Sequence, residues 1–158
     1  MSISIKTARE IEKMRRAGKL AAEVLDYITD YVDVGVTTGE LDDLCRKYIE
    51  SHGAVPACLG YHGYPKSTCI SINHVICHGI PDDRKLADGD ILNIDVTVIL
   101  DGWFGDTSRM YYAGKPKLKA TRLCDVTYEC MMRGIEVVRP GAHFGDIGAV
   151  IEEYAHKY

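Results

Sequence analysis

The chain has 158 residues, 46% of them hydrophobic and 27% charged, with a formal net charge of −4 and a pI near 5.8. That length supports one domain, residues 1–158, with a real hydrophobic core. The acidic balance and the lack of a Lys/Arg block argue against a direct nucleic-acid surface, and the opening MSISIKTAREIEKMRRAGK has no apolar run for a signal peptide or membrane span.

Thr7 and Glu10 have the spacing of a capping box, which predicts a helix over about 8–32 carrying Ile11, Met14, Ala17, Ala21, Val24, Leu25 and Ile28 on one stripe. A second box, Thr37 to Glu40, opens a helix over about 39–52, with Gly53 placed to close it. The text AVPACLGYHGYPK reads as a structured loop, rich in Gly, Pro and Tyr. Strand-like runs follow at 68–72, 75–78, 90–100 and 103–112, then helical text at about 118–138 and 144–158. This order predicts an α+β fold, with helices packed on an antiparallel sheet. The six cysteines (45, 58, 69, 77, 124 and 130) never form Cys-x-x-Cys and sit in apolar text, as reduced, buried thiols of a cytoplasmic protein do.

NIDVTVILDGWFGDTSR carries three aspartates among strand formers. Asp101-Gly102 is a strong two-residue hairpin signal, because both positions tolerate positive φ. With that turn, Leu100 faces Trp103, Asp106 lies opposite Thr97, and Asp95 lies opposite Ser108. Strand residues two apart share a face, so Asp95, Thr97 and Asp106 project together while Leu92, Ile94, Val96, Val98 and Leu100 form the apolar face. Asp95 and Asp106 become diagonal neighbours, about 7–8 Å apart at the backbone. Converging carboxylates repel unless a proton or a cation sits between them. Three readings stand: one aspartate caps a turn while the other meets Arg109 or a lysine; the two form an acid dyad; or they hold a divalent metal, which takes oxygen ligands. The rigid hairpin and polar neighbours Asn93, Thr97 and Ser108 favour the metal. In the preceding text, His78 stands before Gly79-Ile80-Pro81 at a strand end, where a side chain looks into a site. Cys58, Cys69, Tyr61 and Tyr64 suit either a core or a pocket for an unbranched, sulfur-containing side chain.

Together, SIKTAREIEKMRRAGKLAAEVL, CLGYHGYPKSTCISINHVICHGIPDD and DGDILNIDVTVILDGWFGDTSRMYYAGKP resemble the bacterial type I methionine aminopeptidases, from the first helix to the last residue. The resemblance implies a pita-bread fold, of which this chain matches the N-terminal half, and removal of the initiator methionine from nascent polypeptides, in a ribosome-associated setting. It implies two divalent ions (Co, Mn, Fe, Zn or Ni), with Asp95 as a chelating ligand and Asp106 as a bridging one. His78 matches the histidine that contacts substrate and stabilises the reacting carbonyl. Cys58, Tyr61, Tyr64 and Cys69 match the lining of the methionine pocket. Asn73 and Val75 match backbone positions holding a monovalent cation, Na or K. An X-Pro metallopeptidase or a non-catalytic scaffold on the same fold are the alternatives.

The chain departs from that family in length. Members run to about 250 residues, within the usual size of one domain, and their second half supplies a histidine and two glutamates. His143, His156, Glu152 and Glu153 match none of these. The expectation is a truncated chain with weakened metal affinity, little activity alone, and an exposed face inviting self-association.

Overall fold

A computed structural model describes residues 3–158, which divide into two compact units, one ending at Lys115 and one spanning Pro116–Tyr158. In the first unit, helix α1 (Ala8–Ile28) begins at Thr7 and α2 (Thr38–Ser51) at Thr37. Both boxes close as their spacing requires. The threonine hydroxyl accepts from the backbone amide three residues on, and the glutamate accepts from the threonine amide, at 2.7 Å for Glu10 and 2.8 Å for Glu40. α1 stops at Ile28, four residues before the expected end, and Thr29–Tyr31 tighten into a 3-10 turn. The Thr29 hydroxyl donates back to the Leu25 carbonyl at 2.9 Å, a bond that competes with continuing the helix.

Four strands, β1 (Val55–Pro56), β2 (Cys69–Ile72), β3 (Ile91–Leu100) and β4 (Trp103–Tyr112), make one antiparallel sheet around β3. β4 pairs with β3 along ten positions, from Ile91–Tyr112 to Leu100–Trp103, so β1 and β2 share the opposite edge of β3. The register matches the hairpin expectation at every position and contains no bulge. The turn takes φ of 51° at Asp101 and 79° at Gly102, the paired left-handed geometry that matches strand twist.

Pleating sorts the side chains of β3. Leu92, Ile94, Val96 and Val98 are fully buried and join α1 and α2 residues such as Val24, Leu25, Leu41 and Ile49 in one core. Asn93, Asp95 and Thr97 project from the other face. α1 lies so close to β4 that a Cβ at Gly105 would collide with the Ala17 carbonyl, so glycine here is a condition of helix–sheet contact. At the hairpin tip Trp103, the only tryptophan, carries the ammonium groups of Lys6 and Lys13 at 5.9 and 5.8 Å from its ring.

The run 75–78 is not a strand. Asn73 and His78 adopt φ of 53° and 57°, which pleated pairing does not accommodate, and Ile76 is 94% exposed. Of the cysteines, all free, Cys77 is exposed and Cys58 half-buried, while the other four are buried as expected.

The second unit pairs α3 (Leu118–Glu136) with α4 (Phe144–Ala155), each ending short of its expected limit, at 138 and 158. Gly134 allows that approach: a Cβ there would stand 3.2 Å from Ile147 Cγ2 and 3.3 Å from Ile151 Cδ1. Cys124 and Cys130 are buried in this unit.

Gly105→Ala is expected to destabilise the protein by about 3 kcal/mol, because a helix carbonyl cannot swing aside as a side chain can; the urea midpoint measures it. Burial also raises the Cys45 thiol and the Tyr111 phenol, each to about 12, from 9.0 and 10.0. Groups with raised values contribute stability that is complete below the unfolded-state value and is lost as pH climbs towards the folded one. The melting temperature is therefore expected to fall progressively from about pH 9 to 12. Tyr111→Phe should flatten that decline and lower the neutral-pH value by losing the 2.6 Å bond to the Leu25 carbonyl.

Candidate metal centre

β3 and β4 bring Asp95 and Asp106 to the same face at adjacent register positions, opposite Ser108 and Thr97 respectively. Burial raises the Asp95 carboxyl above its ordinary value, the Asp106 carboxylate raises it further, and His78 pulls it back. Among the described residues neither carboxylate accepts a hydrogen bond or forms an ion pair. Arg109, the basic partner weighed from sequence, points instead to the helix side and binds Asp26 on α1 at 2.8 Å.

Both aspartates open into a cavity of about 860 Å³ that also reaches Cys58, Tyr61, Tyr64, Cys69 and His78. All seven side chains singled out for metal or substrate from the sequence therefore meet at one hollow. Asn73 and Val75 do not line it and sit on the turn after β2. The Asn73 side chain is taken up structurally, donating to Asp90 at 2.7 Å and accepting from the Ile91 amide at 3.1 Å. His62, Ile80, Thr97 and Phe104 also line it, with Ala57, Gly63 and Pro65. The sequence marked Thr97 by parity, but nothing in the local text separates the others from ordinary loop and strand residues.

The wall is held by hydrogen bonds that run behind it. Asp42 of α2, only 2% exposed, accepts from the Ser67 amide at 3.0 Å and from the Thr68 amide and hydroxyl, both at 2.7 Å. This anchors the end of the loop just before Cys69. The Tyr64 hydroxyl shares its proton between the carbonyls of Thr68 and Gly79, each 3.0 Å away. The Gly79 amide donates to the Ser71 hydroxyl at 3.1 Å, and a Cβ at Gly79 would collide with the Ile70 carbonyl. His78 is thus clamped beside β2 in a left-handed conformation. Burial pushes the Cys58 thiol up to about 11 and raises Cys69 and Tyr64 as well, so these three groups are uncharged at physiological pH.

Two unpaired carboxylates on a rigid hairpin, one raised by the other, suit a hard ion. No cluster of three His, Cys, Asp or Glu side chains that could hold a metal occurs among the described residues. The pair fits as part of a centre and does not close one.

The model of metallopeptidase family M24 matches residues 12–158. A methionine aminopeptidase of Rickettsia prowazekii is 63% identical over 158 residues, covering 100% of this chain and 61% of that protein. One of Escherichia coli K12 is 60% identical over 157 residues, covering 98% and 59%. The chain spans about 60% of the length of these relatives. The crystal structure of the Rickettsia prowazekii methionine aminopeptidase superposes with a TM-score of 0.97 over 99% of this chain and 63% of that one. An Xaa-Pro dipeptidase of Bacillus anthracis, 19% identical with a TM-score of 0.85, shares the fold. The architecture is the α+β pita-bread fold, and the chain belongs to metallopeptidase family M24.

Proposed function

We propose that the chain contributes the Asp95, Asp106 and His78 side of a methionine aminopeptidase site, which removes the initiator methionine from nascent polypeptides. The observation that carries this is the pair of unpaired carboxylates facing one hollow beside a thiol-and-phenol wall. Identity of 60–63% to methionine aminopeptidases supports it. The thiol-and-phenol wall of Cys58, Tyr61, Tyr64 and Cys69 favours an unbranched methionine side chain over a proline-specific site. Likeness to X-Pro enzymes at 19% identity speaks for the fold alone.

In this reading Asp95 and Asp106 hold divalent metal, with Co, Mn, Fe, Zn and Ni as the candidate ions. When bound, such ions polarise a carbonyl and lower the pKa of a coordinated water. His78, fixed by its Gly79 clamp, stands across the hollow to hydrogen-bond the substrate. Cys58, Tyr61, Tyr64 and Cys69 receive the methionine side chain and exclude water from it. The carbonyls of Asn73 and Val75 hold a monovalent cation, Na or K, that stiffens the turn leading to His78. The setting is cytoplasmic, with nascent-chain N-termini as partners, near the ribosome. Self-association is proposed as a way for copies of this chain to cover apolar surface.

The metal assignment is tested by thermal melts with Mn or Co. At ten times the dissociation constant a ligand stabilises by about 1.4 kcal/mol, a rise of roughly 3–6 °C for a chain of this size. Asp95→Asn and Asp106→Asn should each abolish the rise, while both proteins remain folded. An unchanged response in both variants would exclude the pair as ligands. For the pocket, a Met-Ala-Ser peptide should perturb the amide NMR signals of Cys58, Tyr64 and Cys69, and an Ile-Ala-Ser peptide should leave them in place.

A further inference from the structure

The wall contains two thiols whose placement follows from the sheet. The Ala57 amide donates to the Thr97 carbonyl at 2.9 Å, and Cys69 pairs with Asp95. Ala57 and Cys69 therefore flank the same edge of β3 two residues apart, roughly 7 Å along the strand. Cys58 follows Ala57, and residues 59–68 form the loop between the two cysteines. Both cysteines line the same cavity, and each thiol influences the ionisation of the other. The two cysteines thus stand at the neck of a loop, on one cavity wall. A disulfide requires Cα atoms about 4.4–6.8 Å apart with converging side chains, and a shared strand edge and a shared cavity bring these two cysteines towards that arrangement.

We infer that Cys58 and Cys69 are an oxidative modification site, closing reversibly to a disulfide that staples the neck of loop 59–68. The oxidant is a low-molecular-weight disulfide such as glutathione disulfide. Cys58, the more accessible thiol, attacks as its thiolate, forming a mixed disulfide and releasing one glutathione, which takes up a proton. Cys69 then attacks the Cys58 sulfur, releasing the second glutathione. Two protein S–H bonds are lost, one S–S bond is gained, and the oxidant leaves as two thiols. Burial keeps both thiols protonated, so the exchange is slow and answers sustained oxidation. The bond ties together two side chains of the cavity wall and fixes the loop between them. Loss of methionine binding on oxidation is a consequence that rests on the proposed role of that wall; the disulfide does not.

The test incubates the full chain, carrying Cys77→Ser to remove the exposed thiol, in reduced and oxidised glutathione. Alkylation and peptide mass mapping follow. The expected product has lost two hydrogens, yields a linked peptide containing Cys58 and Cys69, and returns to the starting mass with dithiothreitol. Cys58→Ser and Cys69→Ser should each prevent it, leaving at most a glutathione adduct. Recovery of both cysteines alkylated separately under oxidising conditions overturns the inference, as does a linkage to any other cysteine. In parallel, Met-Ala-Ser binding by NMR should weaken at least tenfold on oxidation and recover on reduction. Equal binding in both states overturns the regulatory consequence. Absence of binding in the reduced state as well counts against the methionine pocket, while the mass result still decides the disulfide.

Discussion

The ten-residue pairing of β3 with β4 around Asp101-Gly102 is the constraint from which the rest follows. Because side chains alternate along a strand, this one register fixes two outcomes together. It sends Leu92, Ile94, Val96 and Val98 into the helices, and it aims Asp95 and Asp106 at the opposite side. A slip of one residue would bury carboxylates in the core and expose the aliphatic stripe, a penalty of several side chains at once. The fold's stability and the convergence of the acidic pair are therefore the same requirement.

The two faces of the sheet differ in how they are satisfied. On the helix side, ordinary packing suffices, tightened by glycine at 105 and by the Arg109–Asp26 pair at the edge. On the other side, precision comes from polar anchors placed behind the wall. Asp42 grips the chain just before Cys69, Tyr64 ties Thr68 to Gly79, and Ser71 holds the Gly79 amide. These bonds keep His78 and the thiols in position, and apart from the Tyr64 hydroxyl they use no side chain of the cavity lining. Such separation of support from contact suits a site requiring accurate placement.

Local sequence carried what local physics decides. The capping boxes at Thr7 and Thr37, the hairpin turn and its parity all depend on residues close together in the chain, and each formed as its spacing required. The run at 75–78 failed because apolar composition says nothing about backbone handedness. Left-handed residues at Asn73 and His78 are selected by contacts with Asp90, Ile91 and Gly79's neighbours, far along the sequence. Asp42 was illegible for the same reason: within α2 it reads as an exposed acid, and only the return of the chain at Ser67 gives it a role. The cavity's aspartates, His78, cysteines and tyrosines were legible as a group, whereas Phe104 and His62 became part of it only through three-dimensional closure.

Trp103 gives the hairpin tip an optical signature. With a single indole in the chain, all tryptophan emission originates at the turn end of β4, beside the ammonium groups of Lys6 and Lys13. Fluorescence will thus register release of the N-terminal segment and fraying of the turn before it registers melting of the aliphatic core. A spectroscopist comparing emission with far-ultraviolet circular dichroism would be watching two different parts of the molecule, and disagreement between the curves would measure how independently they open.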